Sequence, residues 1–553
     1  MCGIFAIFNK AQKDIKSDYD TIIRKCFMKG KDRGPESNTL LKIDNDFLGF
    51  HRLAINGFGK DSSEQPFHKH NCVLICNGEI YNWKHLNEIS KSHCVTGSDC
   101  EIILDLYVKY GIKQTLQMLD GVFAFIIFDK TKNKVFVARD TYGVRPLFIC
   151  SQIDPKSDEK PLLNVYFASE YKSLHDICVY QENLVQQQFE KKQFPPGHYL
   201  EFSPNLVSTQ LTPVLFSQPN GFPVNTSRDH STLIRDALIQ AVAKRVDNTD
   251  REIACLLSGG LDSSLITGLV VNICKTRHNR HPSTIHTWSI GMEGSMDLKY
   301  AQQVADFLGT THHSIQLTQE DFLSAIPEVI YAIESYDTTT VRASVGNWLI
   351  SKHIRENSNA KVIFNGDGSD EVTGGYLYFH AAPDAIEFDK ECRRLLSDIH
   401  FFDVLRSDRS IASHGLEPRT PFLDRGFIQT YLSIPMEDRC HNVLQRCEKY
   451  LLRQAFAEMY IIPDEILWRT KEAFSDGVST ATKAWFEVIQ DFAQTKYPSL
   501  NALDAENKYY QSIYQKHFGE YKPVPYKWMP KFVEATDASA RTLNIYKKLN
   551  KSN

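Results

Sequence analysis

The first residues of the chain bring together two groups that could act jointly in catalysis. Cys2 follows the first methionine, and Gly3 and five apolar residues come next. If the methionine is removed, Cys2 carries a thiol nucleophile and an α-amine whose pKa of about 8 lets it act as a base. The alternative is structural, because a free cysteine beside a buried strand often packs as a small hydrophobe. From the residues alone, both interpretations stay open.

A second chemical signal is the stretch LLSGGLDSSL at 256–265, between a predicted buried strand and a predicted helix. Its glycines allow close approach of the backbone, and the helix N-terminus offers N–H groups to an anion. The loop lacks the G-x-x-x-x-G-K-[ST] lysine that reaches the terminal phosphates. Asp262 would repel a phosphate unless a cation lay between them, and Mg²⁺ held by carboxylates and phosphates fits. The alternative is a plain strand-to-helix turn with a capping aspartate.

A third candidate is FNGDGSDEVTGGY at 364–376, directly after the predicted strand KVIF. Asp367, Asp370 and Glu371 supply carboxylates for metal binding or acid–base chemistry. Because open parallel sheets bind ligands beyond the carboxyl ends of their strands, we expect this loop and the 256–265 loop to open onto one crevice. Taken alone, the stretch is equally compatible with an acidic surface turn.

The elements that must position these groups differ between the two halves of the chain. Up to about residue 200, short apolar strands alternate with turns and a few helices, which predicts an α+β domain of stacked sheets covered by helices. Within it, Ser98 and Glu101 have the spacing of a capping box for a helix that starts near Ile102. The strands are predicted in FLGFHRLAI, CVLICNGEIY, GVFAFIIFD, KVFVARD and LNVYFAS.

Residues 203–231 are rich in Pro, Asn, Ser and Gly, which is typical of a domain boundary. We therefore predict domains at 1–205 and 231–553, joined by a linker at 206–230. After the linker, strands alternate with helices, which predicts an α/β domain with a parallel sheet. From about residue 320 the patterns are mostly helical, and beyond about 495 they are too weak to assign.

Composition narrows the function classes. The net charge of −4 leaves no basic excess for nucleic acid or a membrane surface. No apolar run approaches the roughly 18 residues of a membrane span, and the N-terminus lacks the layout of a signal peptide. The 13 cysteines are scattered without a C-x-x-C pair, which favours reduced thiols in the cytoplasm. These features predict a large soluble intracellular protein and favour an enzyme.

Together with several other motifs, these stretches resemble the glutamine-hydrolysing asparagine synthetases. That family joins a class II amidotransferase domain of the N-terminal-nucleophile (Ntn) type to an ATP-pyrophosphatase-type synthetase domain. The resemblance covers nearly the whole chain and its motifs occur in order. They are MCGI, HRLAI (51–55), NGEIYN (77–82), GSDCE (97–101), LDGVFAF (119–125), RDTYGVRPLF (139–148), PPGHY (195–199), SGGLDSS, TTVRAS (339–344), GSDE (368–371), PFLD (421–424), RTKEAFSDG (469–477) and YKWMP (526–530).

The resemblance implies a glutaminase site in the first domain. Cys2 would be the nucleophile, and Asn77 with the Gly78 N–H would form the oxyanion hole. Arg52 would pair with the carboxylate of glutamine, since a guanidinium binds carboxylates in a bidentate way. Glu79 and Asp99 would bind its ammonium group. The implied glutamine-binding residues are Arg52, Leu53, Ala54, Ile55, Asn56, Asn77, Gly78, Glu79 and Asp99.

For the second domain the resemblance implies ATP as a substrate and Mg²⁺ held by Asp262 and Asp370. The β-carboxylate of aspartate would attack the α-phosphate, and ammonia arriving through an internal tunnel would displace AMP from β-aspartyl-AMP. Lys471, Arg342 and Asp367 would be catalytic. Whether the protein is a homodimer stays open. The implied ATP-binding residues are Leu256, Ser258, Gly259, Gly260, Leu261, Asp262, Ser263, Ser264, Ile290, Asn365 and Gly366.

Two stretches depart from the family pattern. Its S-G-E-G is N-G-D-G at 365–368, and its H-R-G-P-D is D-R-G-P-E at 32–36. Two alternatives follow: a catalytically weakened homologue kept as a binding protein, or an enzyme that activates another carboxylate, as β-lactam synthetases do. The intact Cys2 motif argues against the second alternative, because those relatives usually lack it.

Overall fold

The structure is a computed structural model that describes residues 1–9, 17–59, 63–153, 162–204, 211–219, 221–222, 229–470, 477–479 and 483–549. The chain forms two compact units. The first unit comprises Met1–Gln218 and also two short later segments, Asn248–Arg251 and Ala412–Leu416. The second unit comprises the remainder. Among the described residues, none of the helices is both long and apolar enough to cross a membrane.

Strands build most of the first unit. They are β1 (Gly3–Asn9), β2 (Ser37–Ile43), β3 (Asp46–Arg52), β4 (Phe67–Lys69), β5 (Cys72–Ile80), β6 (Gly121–Asp129), β7 (Lys134–Arg139), β8 (Phe148–Ile153), β9 (Leu162–Ala168), β10 (Glu190–Gln193), β11 (His198–Phe202) and β12 (Val214–Leu215). They form two six-stranded sheets, β10-β8-β9-β1-β3-β2 and β12-β11-β7-β6-β5-β4. The pairings in both sheets are antiparallel.

The two sheets share an apolar core. Ile4 and Phe8 of β1 pack with Ile75 of β5 and Ile126 of β6. The other face of the second sheet packs against helices. The helices of this unit are Ser17–Met28, Trp83–Ile89, Ile102–Met118 and Lys172–Val185. The predicted α+β class, with stacked sheets covered by helices, is confirmed.

A parallel sheet is the centre of the second unit. Its strands are β13 (Ile253–Leu256), β14 (His286–Met292), β15 (Thr311–Leu317), β16 (Val362–Phe364) and β17 (Glu417–Arg419), in the order β15-β14-β13-β16-β17. The neighbouring strands run parallel. The predicted α/β class with a mostly helical extension is confirmed, although β15 and β17 were not predicted.

Helices form most of the rest of the second unit and pack against the strands of the sheet. They are His230–Val246, Leu261–His278, Met296–Leu308, Gln319–Ile333, Thr338–Asn357, Ser369–Thr373, Ala385–Asp398, Asp403–Ala412, Arg425–Ser433, Met436–Arg439, Tyr450–Phe456, Asp464–Leu467, Trp485–Lys496, Ala502–Phe518 and Asn544–Leu549.

The predicted capping box at the start of Ile102–Met118 is wrong. The residue before this helix is Glu101, and it makes no capping hydrogen bond to the helix. Its carboxylate instead accepts hydrogen bonds from the N–H groups of Val95 and Thr96, both at 2.9 Å. A carboxylate can serve either its own helix or a neighbouring loop, and here the loop N–H groups are the partners.

Candidate active sites

Cys2 lies immediately before β1, an interior strand of the first sheet. Its side chain is partly buried, and its Sγ lies 3.5 Å from the carbonyl oxygen of Leu53. The backbone carbonyl of Cys2 accepts a hydrogen bond of 3.0 Å from Arg33 Nε. Arg33 is buried and forms an ion pair with Glu170 at 3.2 Å. Sequence reasoning noticed the motif around Arg33 but not that it holds the backbone of Cys2.

The predicted oxyanion residues lie on β5. The Nδ2 group of Asn77 is buried and has no hydrogen-bond partner among the described atoms. A buried amide without a partner is costly, so this donor suits an acceptor that arrives with a ligand. A Cβ atom at Gly78 would lie 2.5 Å from the carbonyl oxygen of Val122, so a side chain does not fit at this position.

Glu79 and Asp99 are brought together by one amide. Asn248 Nδ2 donates to Glu79 Oε2 at 2.9 Å and to Asp99 Oδ2 at 3.1 Å. Asn56 Nδ2 donates to Glu79 Oε2 at 2.8 Å, and the Ile80 N–H donates to Asp99 Oδ2 at 2.7 Å. Two carboxylates at one place form an anionic site for a cationic group. Asn248 was missed because it lies far along the chain from both.

Arg52 is the last residue of β3, and its side chain has partners within the protein. Its guanidinium pairs with Glu64 at 3.1 Å and donates to the carbonyl of Gly57 at 3.1 Å. Glu64 is 39% exposed, so a carboxylate ligand can take its place at Arg52. The other predicted glutamine-binding residues of this stretch, Leu53, Ala54 and Ile55, are buried.

The two predicted loops of the second unit open onto one cleft, as expected. They follow β13 and β16, which are neighbours in the sheet. The cleft has a volume of about 1560 Å³ with its open mouth included. The predicted residues that line it are Leu256, Ser258, Gly260, Leu261, Asp262, Ser263, Ile290, Asn365, Gly366, Asp367 and Asp370.

Two of the predicted ATP-binding residues are not among the lining residues. Gly259 has φ of +73°, and a Cβ there would lie 2.4 Å from Tyr300 Cβ, so its role is to turn the loop. Ser264 is fully buried in the first turn of Leu261–His278, and its N–H donates to the Gly260 carbonyl. Of the serines in this loop, Ser258 and Ser263 line the cleft, and their hydroxyls lie 3.0 Å apart.

Lys449 lies between the two predicted metal ligands. Its Nζ is 2.6 Å from Asp262 Oδ2 and 2.7 Å from Asp370 Oδ1, and the side chain is buried. Both carboxylates therefore face one small volume at the cleft. Among the described residues there is no cluster of three or more metal-binding side chains. Two carboxylates fit Mg²⁺, which binds to one or two protein carboxylates together with substrate phosphates.

A network of acidic groups also lines the cleft. Arg406 Nη2 donates to Asp367 Oδ1 and to Asp403 Oδ1, each at 2.8 Å. The Tyr376 hydroxyl lies 2.6 Å from Glu371 Oε1 and 3.0 Å from Asp403 Oδ2. Burial, and then the nearby Asp403 carboxylate, raises the pKa of Glu371 well above its ordinary value. Burial opposes ionisation of Asp403, yet Arg406 holds the pKa of Asp403 below its ordinary value.

Known proteins resemble this chain over nearly its whole length. The sequence matches the family described as Asparagine synthase over residues 233–387 and 383–533, and the family described as Glutamine amidotransferase domain over residues 1–209. It is 41% identical to the asparagine synthetase [glutamine-hydrolyzing] of Gallus gallus, with 99% of each chain covered. Identity to the Homo sapiens protein of that name is 40%, again with 99% of each chain covered.

The chain belongs to the asparagine synthetase family. Both departures from the family pattern now have structural partners. Asn365 Oδ1 accepts the Asp367 N–H at 3.3 Å and its Nδ2 donates to Ser407 Oγ at 2.7 Å, so this side chain shapes the loop. Glu36 Oε2 accepts the Ala54 N–H at 2.6 Å, and Glu36 Oε1 pairs with Arg251 at 2.9 Å.

Two positive groups were predicted at the reacting atoms of this asparagine synthetase, Arg342 and Lys471. Arg342 is not among the residues that line the cleft; it is buried and its guanidinium pairs with Glu506 and Asp537, both at 2.6 Å. Two carboxylates hold it in this structure, and its role at the reacting atoms stays a prediction. Lys471 lies outside the described residues. The basic residues that line the cleft are Arg406, Lys449, Arg453 and Arg469.

Of these four basic residues, only Arg469 had a signal in the sequence, since it opens the motif RTKEAFSDG. It stacks on the Tyr300 ring at 4.0 Å and donates to the Gly259 carbonyl at 3.2 Å. It thus supports the 256–265 loop. None of the motifs noted in the sequence contains Lys449, Arg406 or Arg453.

Proposed function

We propose that the protein catalyses ATP-dependent synthesis of L-asparagine from L-aspartate, with nitrogen from L-glutamine, and releases glutamate, AMP and pyrophosphate. One observation carries this proposal most strongly. The loops after two neighbouring parallel strands meet in one cleft, where Asp262 and Asp370 lie on either side of Lys449. Two carboxylates that could hold Mg²⁺, with a lysine beside them, suit the phosphates of ATP.

Glutamine hydrolysis is assigned to the first unit. Once Met1 is removed, the α-amine of Cys2 accepts the thiol proton, the thiolate attacks the side-chain amide carbon of glutamine, and the proton passes to the departing ammonia. Asn77 Nδ2 and the Gly78 N–H donate to the oxygen that becomes negative in the transition state. Ammonia leaves, and water then cleaves the thioester to give glutamate. Glu79 and Asp99 bind the substrate ammonium, and Arg52 exchanges Glu64 for the substrate carboxylate.

Aspartate activation is assigned to the cleft of the second unit. A β-carboxylate oxygen of aspartate attacks the α-phosphorus of ATP, and the bond to pyrophosphate breaks. The N-terminus of Leu261–His278 and the Ser258 and Ser263 hydroxyls face the phosphates. Asp262 and Asp370 would hold Mg²⁺, which would offset the charge of the pyrophosphate when bound. Lys449 adds a second positive charge beside both carboxylates.

Ammonia consumption is assigned to the same cleft. Ammonia adds to the acyl carbon of β-aspartyl-AMP, loses a proton, and AMP departs with the carboxylate oxygen. Asp367 is our proposed acceptor of that proton. Its Oδ1 is fixed by Arg406, and its Oδ2 is buried with no hydrogen-bond partner among the described atoms.

We assign residues 1–205 to the glutaminase domain, 206–230 to the linker and 231–553 to the synthetase domain. The family matches support this assignment, since they cover 1–209 and 233–533. The free cysteines among the described residues suit a reducing compartment, and we place the enzyme in the cytoplasm.

The proposed function is tested by one coupled reaction with amide-¹⁵N glutamine, aspartate, ATP and Mg²⁺. We expect ¹⁵N asparagine, AMP and pyrophosphate in equal amounts. ADP and phosphate in place of AMP and pyrophosphate would refute the proposed chemistry. Unlabelled asparagine would refute glutamine as the nitrogen source.

A further inference from the structure

Four residues from beyond the predicted linker, Asn248–Arg251, belong to the first unit and contact residues of its predicted glutamine site. We propose that Asn248 is a positioning residue for glutamine binding, which fixes Glu79 and Asp99 in the geometry that recognises the substrate ammonium. This inference rests on the proposed function and adds to it a residue that lies outside the matched amidotransferase region at 1–209.

The orientation of the Asn248 amide follows from the chemistry of its partners. Trp83 Nε1 lies 3.1 Å from one end of the amide, and an indole N–H can only donate, so that end is the oxygen. The other end is therefore the NH₂ group, and it donates to both Glu79 and Asp99. Asn248 is only 5% exposed, so this geometry is enclosed by the protein.

A neutral bridge between two carboxylates has a specific consequence. Lysine or arginine at this position would cancel part of the negative charge that a cationic substrate needs. An amide holds the two carboxylates side by side and leaves their charge in place. The site is then prepared for the α-ammonium of an amino acid before it binds, which reduces the cost of ordering the site on binding.

The rest of the segment holds the adjacent glutamine-binding loop. The Asp250 N–H donates to the Ile55 carbonyl at 2.9 Å, and Asp250 Oδ2 accepts the Gly57 N–H at 2.9 Å. Arg251 donates to the Ala54 carbonyl at 3.0 Å. The segment thus contacts both the loop that follows Arg52 and the two carboxylates. The same piece of chain continues, at Ile253, into the strand that ends at the 256–265 loop.

The test compares Asn248→Ala, Asn248→Asp and Trp83→Phe in the full-length protein. Asn248→Ala should raise KM for glutamine about tenfold, the size expected for lost hydrogen bonds to charged groups, with kcat changed less than about twofold. Asn248→Asp has a similar shape but brings a third carboxylate, so KM should rise at least as much. Trp83→Phe should raise KM by a smaller factor. Ammonia-dependent asparagine synthesis should stay unchanged in all three.

Recognition of the ammonium is separated from general damage by 4-carbamoylbutanoate, which is glutamine without its α-amino group. Wild type should bind glutamine more tightly than this analogue, and Asn248→Ala should reduce that ratio of affinities about tenfold. The matched control is Asn164→Ala, which removes another buried asparagine of the same unit, one that donates to Gln152 at 2.7 Å. It should leave the preference unchanged.

An unchanged KM in Asn248→Ala, or an equal loss of affinity for glutamine and for the amine-free analogue, would overturn the positioning role alone. Wild-type protein that does not hydrolyse glutamine would overturn the proposed function and this inference with it. Trp83→Phe removes a hydrogen-bond partner of Asn248 and keeps Asn248 itself. The test can therefore still be made if one of the variants does not fold.

Discussion

Single residues in the two sites divide into groups already held in place and groups that lack a partner. Glu79, Asp99 and Arg52 are held by neighbouring side chains, which sets their positions in advance. Asn77 Nδ2 and Asp367 Oδ2 are buried and have no partner among the described atoms. Since such groups are costly unless a ligand satisfies them, these two atoms are our candidates for contact with the reacting groups.

Replacement of the nucleophile should separate the two activities. Cys2→Ala should abolish glutamine hydrolysis and glutamine-dependent synthesis, because no other thiol stands at the start of β1. Synthesis with added ammonium salt should continue at the wild-type rate, since the cleft of the second unit is untouched. Both rates are measured on the same preparation. Residual glutaminase activity in the purified variant would end the assignment of Cys2.

Removal of the Asp367 carboxylate should affect only the later chemistry. We expect Asp367→Ala to lower asparagine formation about a hundredfold, the scale seen for a lost acid–base group, while glutamine hydrolysis survives. Asp367→Glu should be tolerated or mildly impaired, and Asn365→Ser together with it should restore activity. The measurement is asparagine and pyrophosphate formed per glutamine hydrolysed. Full coupling in Asp367→Ala would show that this carboxylate has no catalytic duty.

At the scale of secondary structure, the residues of the cleft are brought together because they lie in loops at the ends of neighbouring strands. The loops after β13 and β16 are in direct contact, and a Cβ atom at Gly366 would lie 2.8 Å from backbone and side-chain atoms of Asp262. The approach of the two loops therefore depends on a residue without a side chain. In the first unit, β1, β3 and β5 bring Cys2, Arg52 and Asn77 into one sandwich in the same way.

Gly366→Ala should force the two loops apart. We expect asparagine synthesis to fall at least tenfold with either nitrogen source, while glutamine hydrolysis changes less than twofold. A suitable control is Gly426→Ala, because the new Cβ there would lie 3.2 Å from its nearest neighbour, an oxygen of the Asp424 carboxylate, against 2.8 Å at Gly366. Normal synthesis in Gly366→Ala would show that close contact of the loops is not required.

The hairpin of β2 and β3 should give the first unit a pH-dependent stability. Burial, together with the nearby Asp44, raises the pKa of Asp46 from 3.8 to about 7, although it accepts the Asn9 N–H. Because the pKa of Asp46 is higher in the folded than in the unfolded protein, this carboxyl contributes stability that is complete below pH about 4 and is lost as the pH rises through about 7. Asp46→Asn does not titrate, so its melting temperature relative to wild type should increase from pH 5 to pH 8. A difference that is constant with pH would contradict the burial of this carboxyl.

Local pattern was enough to predict much of this architecture. The strand predictions of the first half and the parallel sheet of the second are confirmed, because alternation and buried apolar runs report directly on strands. The loops after β13 and β16 could be placed together because parallel strands end at one edge. The family prediction is confirmed by the matches over nearly the whole chain.

Contacts between distant parts of the chain could not be predicted. Lys449 is 187 residues from Asp262, and Asn248 is 169 residues from Glu79. No local spacing relates such pairs. The ion pairs of Arg342 could not be predicted for the same reason, since its partners Glu506 and Asp537 lie in the C-terminal region whose weak periodicity gave no assignment.

On the scale of the whole molecule, the protein has two compact units, each with its own sheet system and its own candidate site. The units are not simple consecutive pieces of sequence, because Asn248–Arg251 and Ala412–Leu416 belong to the first. This division explains why we expect variants at Cys2 and at Gly366 to have separate effects. It also places the central claim in the second unit, where aspartate would be joined to AMP.

That claim is tested most directly by an isotope measurement on AMP. Aspartate labelled with ¹⁸O in its β-carboxylate is converted in the presence of glutamine, ATP and Mg²⁺, and the AMP produced is analysed by mass spectrometry. Attack of the carboxylate on the α-phosphorus predicts AMP that carries one ¹⁸O atom from aspartate. Unlabelled AMP formed together with asparagine would contradict the acyl-adenylate route.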